Sequence, residues 1–268
     1  MKKPFTKEHK KYLAGLKRER ALVSALRIAI LAAILLLWEI LTRADVIDPF
    51  VASSPSRIAK TLKTLFSDKN YLTHIGITLY ETLLGFAVAT VLGTAVAVLL
   101  WWSARVRKTL EPYLVVLNSL PKIALGPIII VWFGTGQKSI IFMTVLVTIV
   151  VSTITMESGF LSVDENKILL LRSLGAKKGQ IFMKLVAPAS VPAMISMLKI
   201  NVGMSWIGSI MGEYLASRAG LGYLIVYGGQ VFKLDLVMAA TVTLCALAGV
   251  MYFFVSLLEK LCARWAEN

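Results

Sequence analysis

The residues of this chain that could do chemistry are few, and none is arranged for making or breaking bonds. The sequence holds no HExxH metal motif, no GxSxG nucleophile turn and no GxxxxGK[ST] phosphate loop. His9 and His74 are far apart, and His74, with no second ligand or carboxylate beside it, reads as an interfacial residue. Cys245 and Cys262 lack metal-ligand spacing and do not make a disulfide framework. An intramembrane enzyme, which needs clustered catalytic groups, finds no support in this inventory. What the chain offers instead is a row of polar side chains in an apolar run. Asn201, Ser205, Ser209 and Glu213 recur four residues apart, which places them on one helical face. Trp206 in the same run, and Asn118 beside Pro121 and Lys122, are further candidates of this kind. A polar stripe on a membrane helix can line a pore or glue two helices together, and spacing leaves both readings open.

The elements that carry these residues must be membrane spans. Hydrophobic residues make up 57% of the 268 and the mean hydropathy is +0.74, well above that of a soluble domain. Six runs approach the roughly 20 residues needed to cross the hydrocarbon core: about 22–41, 75–102, 113–133, 139–157, 193–215 and 236–258. The third contains Pro121 and Pro127, which break the helical ladder where neighbouring helices or a cavity must supply substitutes. Between the first and second, Pro55 opens an amphipathic helix with Ile58, Leu62, Leu65 and Phe66 on one side, expected on the outer surface. The net charge of +14 is concentrated at the N-terminus, at Lys2, Lys3, Lys7, Lys10, Lys11, Lys17, Arg18, Arg20 and Arg27. There it sets topology and meets anionic lipid. No basic-aromatic surface accompanies it, so nucleic acid is excluded as a partner. No small-residue cleavage site follows the first apolar run, and no cleavable signal peptide is expected.

Between the fourth and fifth spans lies a basic, amphipathic island. Ile168, Leu171 and Leu174, then Ile181, Phe182 and Leu185, give an apolar stripe at helical spacing, interrupted by Gly175 as a helix C-cap would interrupt it. Lys167, Arg172, Lys177, Lys178 and Lys184 place the island on the cytoplasmic side. Pro188 and Pro192 close it where the next span begins. A membrane protein with such a helix–Gly–helix element presents it to a cytoplasmic partner.

Gly175 followed thirteen residues later by Pro188, with Leu185 three before the proline, resembles the cytoplasmic loop of bacterial ABC-importer permeases. Leu169-Leu170-Leu171 stands where that family has Glu-Ala-Ala. The run from Leu120-Pro121 through Ala124-Leu125 and Pro127 to Trp132-Phe133-Gly134 is similar to the nitrate/sulfonate/taurine branch of that family. So is Glu213 followed by Gly220-Leu221-Gly222-Tyr223-Leu224 and then Asp235. The resemblance extends from Ser54 to about Asp235. It implies an all-α membrane protein of type I ABC-importer permease architecture, with six transmembrane helices, an outer amphipathic helix and a cytoplasmic coupling-helix loop. The corresponding domains are a basic cytoplasmic arm (1–21), the permease (22–258, with its loop at 160–192) and a cytoplasmic tail (259–268).

The resemblance further implies a homodimer in the bacterial inner membrane with both termini cytoplasmic. Two ATPase subunits would dock on the loops, and an extracytoplasmic substrate-binding protein would complete the assembly. Lys167, Leu170, Leu171, Leu174, Gly175, Ala176 and Lys177 would carry the ATPase contact. Asn118, Asn201, Ser205, Trp206, Ser209 and Glu213 would carry the translocation pathway. The chain is expected to be no enzyme and to bind no cofactor, with ATP and magnesium held by the ATPase. The branch suggests a small sulfonate, taurine or nitrate-like anion, or a vitamin-precursor-like heterocycle. A secondary transporter is the rival reading; it needs an internal repeat, and residues 22–133 and 139–258 do not resemble one another.

Overall fold

Pro121 and the residue before it account for the sharpest feature of the backbone. The computed structural model describes residues 7–266, and among these it is helical without strands. Lys2 and Lys3 of the basic arm lie outside the described residues. Two units are distinguished, residues 1–64 and 65–268.

In the first unit, α1 (Lys7–Arg43) contains the first apolar span, Arg18–Arg43. Its leucines and isoleucines are largely exposed, as a lipid-facing helix requires. Thr42 Oγ1 donates back to the Trp38 carbonyl at 2.8 Å. α2 (Pro49–Ala52) and the start of α3 (Pro55–Phe66) follow. Glu39 ties α1 to α3, accepting from Arg43 Nε at 2.8 Å and from the Ser56 amide at 3.0 Å.

In the second unit, Asp68 caps α4 (Lys69–Trp102) by accepting from the Asn70 amide at 2.9 Å. Ser103 ends α4 and caps α5 (Ala104–Ser119). The segment between the expected second and third spans, 103–112, is therefore mostly helix. Leu120 then adopts extended backbone ahead of Pro121, as the proline ring demands. A 3-10 turn (Lys122–Leu125) and α6 (Gly126–Phe133) continue at 86° to α5. The span expected at 113–133, broken at its prolines, is this bent pair, and its first arm begins earlier, at Ala104. Among the described residues five helices are long and apolar enough to cross a membrane, or six if the bent pair counts as one.

α7 (Gln137–Leu161) and α11 (Val191–Ala216) pack against α4 and form the core of the unit. Gly85, Gly93, Gly208 and Gly212 line their contacts, and a Cβ at Gly208 would stand 2.6 Å from Thr144 Cα. The backbones thus approach as closely as small residues allow. α12 (Leu221–Gln230) and α13 (Leu234–Ala266) complete the fold. One apolar cluster gathers Tyr71, Val202, Trp206, Leu221, Ala240 and Leu244. A second gathers Ala97, Met156, Phe160, Ile181, Val186 and Met197 at the end of the bundle where the 160–192 loop emerges.

Candidate functional site

The loop is built by local capping. Asp164 accepts from the Asn166 amide at 2.9 Å and starts α8 (Glu165–Ser173). Gly175 ends it with φ +81°, and the Gly175 and Ala176 amides donate to the Arg172 and Leu171 carbonyls at 2.9 and 3.0 Å. The Gln180 side chain accepts from the Lys177 amide at 2.7 Å and starts α9 (Lys178–Ile181). A π-helical turn (Phe182–Val186) and α10 (Ala187–Ala189) lead into α11. The helix–Gly–helix pattern read from the sequence is what forms.

The predicted coupling residues divide by side. Leu169, Leu170 and Leu174 are between 60% and 74% exposed, an apolar ridge beside the exposed Lys167 and Lys177. Leu171 and Ala176 turn inward and pack with Ile168 on the second apolar cluster. Lys178 fixes the loop to the end of α4. Its Nζ donates to the Trp102 carbonyl and lies 5.4 and 5.9 Å from the centroids of Trp101 and Trp102. Phe182 packs between Trp101 and Phe160, with centroids 5.0 and 5.3 Å away. The loop thus contacts α4 and α7 through aromatic side chains.

The polar stripe of α11 faces other helices of the same chain. Asn201 Oδ1 accepts from Ser152 Oγ at 2.9 Å, and its Nδ2 donates to Thr90 Oγ1 at 3.0 Å. Ser205 Oγ lies 3.4 Å from Thr148 Oγ1. Ser209 Oγ is buried with no partner. Asn201, Ser205, Ser209 and Glu213 thus share one buried seam against α4 and α7. Trp206, on the neighbouring face, is buried in the first apolar cluster. Asn118 is exposed on α5 and does not join them. Lys199, on the same helix, pairs with Glu259 of α13 at 2.6 Å.

At the far end of α11 the stripe meets α12. Three successive amides at the start of that helix are taken by side chains: Gly220 by His74 Nδ1 at 2.8 Å, Leu221 by Thr78 Oγ1 at 2.8 Å, and Gly222 by Glu213 Oε2 at 2.6 Å. These are the donors a helix leaves without internal partners. Gly220 has φ +117°, and a Cβ there would sit 2.3 Å from Glu213 Oε2. A Cβ at Gly222 would sit 2.9 Å from the same oxygen. The Gly220-Leu221-Gly222 pattern therefore makes room for a carboxylate. His74, read from sequence as interfacial, is a capping residue of α12, and its ring stacks on Tyr223 with centroids 6.1 Å apart.

Glu81 on α4 was missed by sequence reasoning. Its side chain is fully buried beside Glu213. An ionisable residue in the middle of an apolar span was the available signal. Among the described residues no three His, Cys, Asp or Glu side chains gather as a metal site would require.

Comparison with known proteins fits this arrangement. Residues 89–266 match the family described as binding-protein-dependent transport system inner membrane component. The chain is 34% identical to the formylaminopyrimidine transport permease protein ThiX of Halalkalibacterium halodurans, over 71% of this chain and 75% of that one. It is 28% identical to the putative aliphatic sulfonates transport permease protein SsuC of Bacillus subtilis, over 88% and 86%. Among solved structures, an inward-facing MetNI methionine ABC transporter aligns with a TM-score of 0.63 at 20% identity, covering 73% of this chain and 99% of that one. With its bundle of apolar helices and its match to permeases along most of its length, the chain belongs to the inner membrane components of binding-protein-dependent transport systems, the permease subunits of ABC importers.

Proposed function

We propose that this permease forms, as a homodimer, the translocation pathway of an ATP-driven importer. Two ATPase subunits engage its 160–192 loops, and an extracytoplasmic binding protein delivers the solute. The observation that carries this reading is the exposed ridge of Leu169, Leu170 and Leu174 on a short helix anchored to α4 and α7. The chain contains no phosphate-binding loop of its own, so ATP and magnesium belong on the partner. The basic residues of the loop put it, and with it both termini, on the cytoplasmic side.

Mechanism follows from the anchoring. The leucine ridge enters a groove on the ATPase, and closure of the ATPase dimer drags the two loops as levers. Lys178 and Phe182 pass that displacement to α4 and α7, which rock between inward and outward access. Asn201, Ser205, Ser209 and Glu213 are shut in the seam, so they meet solute only when α11 parts from α4 and α7. Asn118 and Trp206 join the pathway on the same condition. The solute is small: a sulfonate-like anion, as the name of the Bacillus relative states for that protein, or a pyrimidine-like heterocycle, as the name of the Halalkalibacterium relative states for that one.

The test uses the reconstituted permease–ATPase assembly with Gly175→Val, which strains a backbone at φ +81°, and Leu174→Glu, which charges the ridge. ATP hydrolysis persists while uptake falls roughly tenfold, as expected for about 1.4 kcal/mol lost at the docking contact. Uptake equal to wild type in both variants refutes the lever.

A further inference from the structure

Two acidic side chains meet inside the bundle. Glu81 of α4 and Glu213 of α11 are buried at 0% and 1% exposure, and their carboxyl groups lie within hydrogen-bonding reach of one another. Glu213 Oε2 is occupied by the Gly222 amide. Glu213 Oε1 and both Glu81 oxygens have no donor among the described residues. A buried Glu81 with no donor for either oxygen, set beside a second carboxyl group that takes the amides at the start of α12, is not a stable arrangement of two anions. Each uncompensated buried charge costs several kcal/mol, and the two repel.

The surrounding elements supply no buried positive charge. On α4 the other titratable groups towards this end are Lys69 and Tyr80, both exposed, Tyr71, whose hydroxyl pairs with Thr243 Oγ1 of α13 at 2.7 Å, and His74, whose Nδ1 is engaged by Gly220. α11 has no charged residue between Lys199 and Glu213, with Tyr214 following, and α12 contributes Tyr223. α7 is uncharged from Ser139 to Met156, and α13 is uncharged between Asp235 and Glu259. Arg218, in the turn before α12, is exposed. A bound cation would supply the missing donor. Hard metal ions gather six or more oxygens, and no third acidic or histidine side chain joins the pair among the described residues. A proton needs only two acceptors.

We propose that Glu81 and Glu213 form a proton-binding site within the bundle: Glu81 is a carboxylic acid that donates its O–H to Glu213 Oε1, while Glu213 is the carboxylate that caps α12. The single proton then joins α4, α11 and α12. Its removal puts two like charges in contact at that junction and releases the first turn of α12. This goes beyond the importer reading and does not depend on it.

Infrared spectroscopy of the permease in lipid nanodiscs, with whatever subunits accompany it, tests the assignment. At neutral pH the wild type carries a carboxylic-acid C=O band that shifts in D2O and is lost in Glu81→Gln, whose amide keeps the shape and the donor. In Glu213→Gln the band persists at higher frequency, because its acceptor is no longer charged. Spectra of wild type and Glu81→Gln that superimpose overturn the proposal, as does a band lost only in Glu213→Gln. A melting temperature that climbs with sodium in wild type but not in Glu81→Gln would make the ligand a metal cation and overturn it equally. If neither variant folds, carboxyl-13C glutamate in a Glu157→Gln background, which removes a further buried glutamate, must still give an isotope-shifted acid band; its absence overturns the proposal.

Discussion

Glycines and single polar atoms decide the geometry at both ends of the bundle. At the α12 end, the Glu213 carboxylate reaches the helix start only because Gly220 and Gly222 lack side chains. Gly220→Ala combines a strained φ of +117° with a Cβ 2.3 Å from that carboxylate. It should lower stability by about 1–3 kcal/mol and so lower the melting temperature. Gly229→Ala, on the same helix with open space around it, is the control and should leave the melting temperature unchanged or slightly higher. Equal melting temperatures for the two variants would show that Glu213 does not sit where we place it. At the loop end, Lys178→Met keeps the aliphatic stem and removes the cation over Trp101 and Trp102. A loss of about 0.5–2 kcal/mol predicts faster amide hydrogen exchange across α9 and the π-helical turn, with α13 unaffected. Unchanged exchange in α9 would mean that Lys178 is not the anchor.

The three helices α4, α7 and α11 are held by close backbone approach and by hydroxyl and amide hydrogen bonds along their middle, and by the second apolar cluster at the loop end. Asn201, Ser205 and Ser209 belong to this seam, so Ser205→Cys and Ser209→Cys should be protected from aqueous thiol reagents in the resting permease. Labelling that appears only during ATP turnover would show the seam opening in the cycle. Labelling at rest contradicts the closed seam. Sequence spacing correctly placed these residues on one face, yet it could not say which surface that face meets, because a pore wall and a helix seam share the same four-residue period. The helix–Gly175–helix loop was legible because capping and positive φ are local properties. The bend at Pro121 was legible as a break but not as an 86° turn, since its angle depends on what α6 packs against. The roles of His74 and Glu81 were not legible, because their partners are 146 residues away at Gly220 and on another helix at Glu213.

At the scale of the molecule the permease has two specialised ends. One presents an apolar ridge on a basic loop, and the other closes a helix start with histidine, threonine and glutamate side chains. Between them, α4 touches both: Trp101 and Trp102 hold the loop, while His74, Thr78 and Glu81 face α12 and Glu213. A displacement imposed at the ridge therefore has a continuous helix along which to reach the opposite end. The most direct test is affinity purification of the tagged permease from its native membrane in mild detergent, with subunits identified and counted by mass spectrometry. Two copies of this chain should be recovered with two copies of an ATPase, and the ATPase should be lost when Leu170 and Leu174 are both changed to Glu. A stable oligomer of this chain alone, with no ATPase recovered, would contradict it.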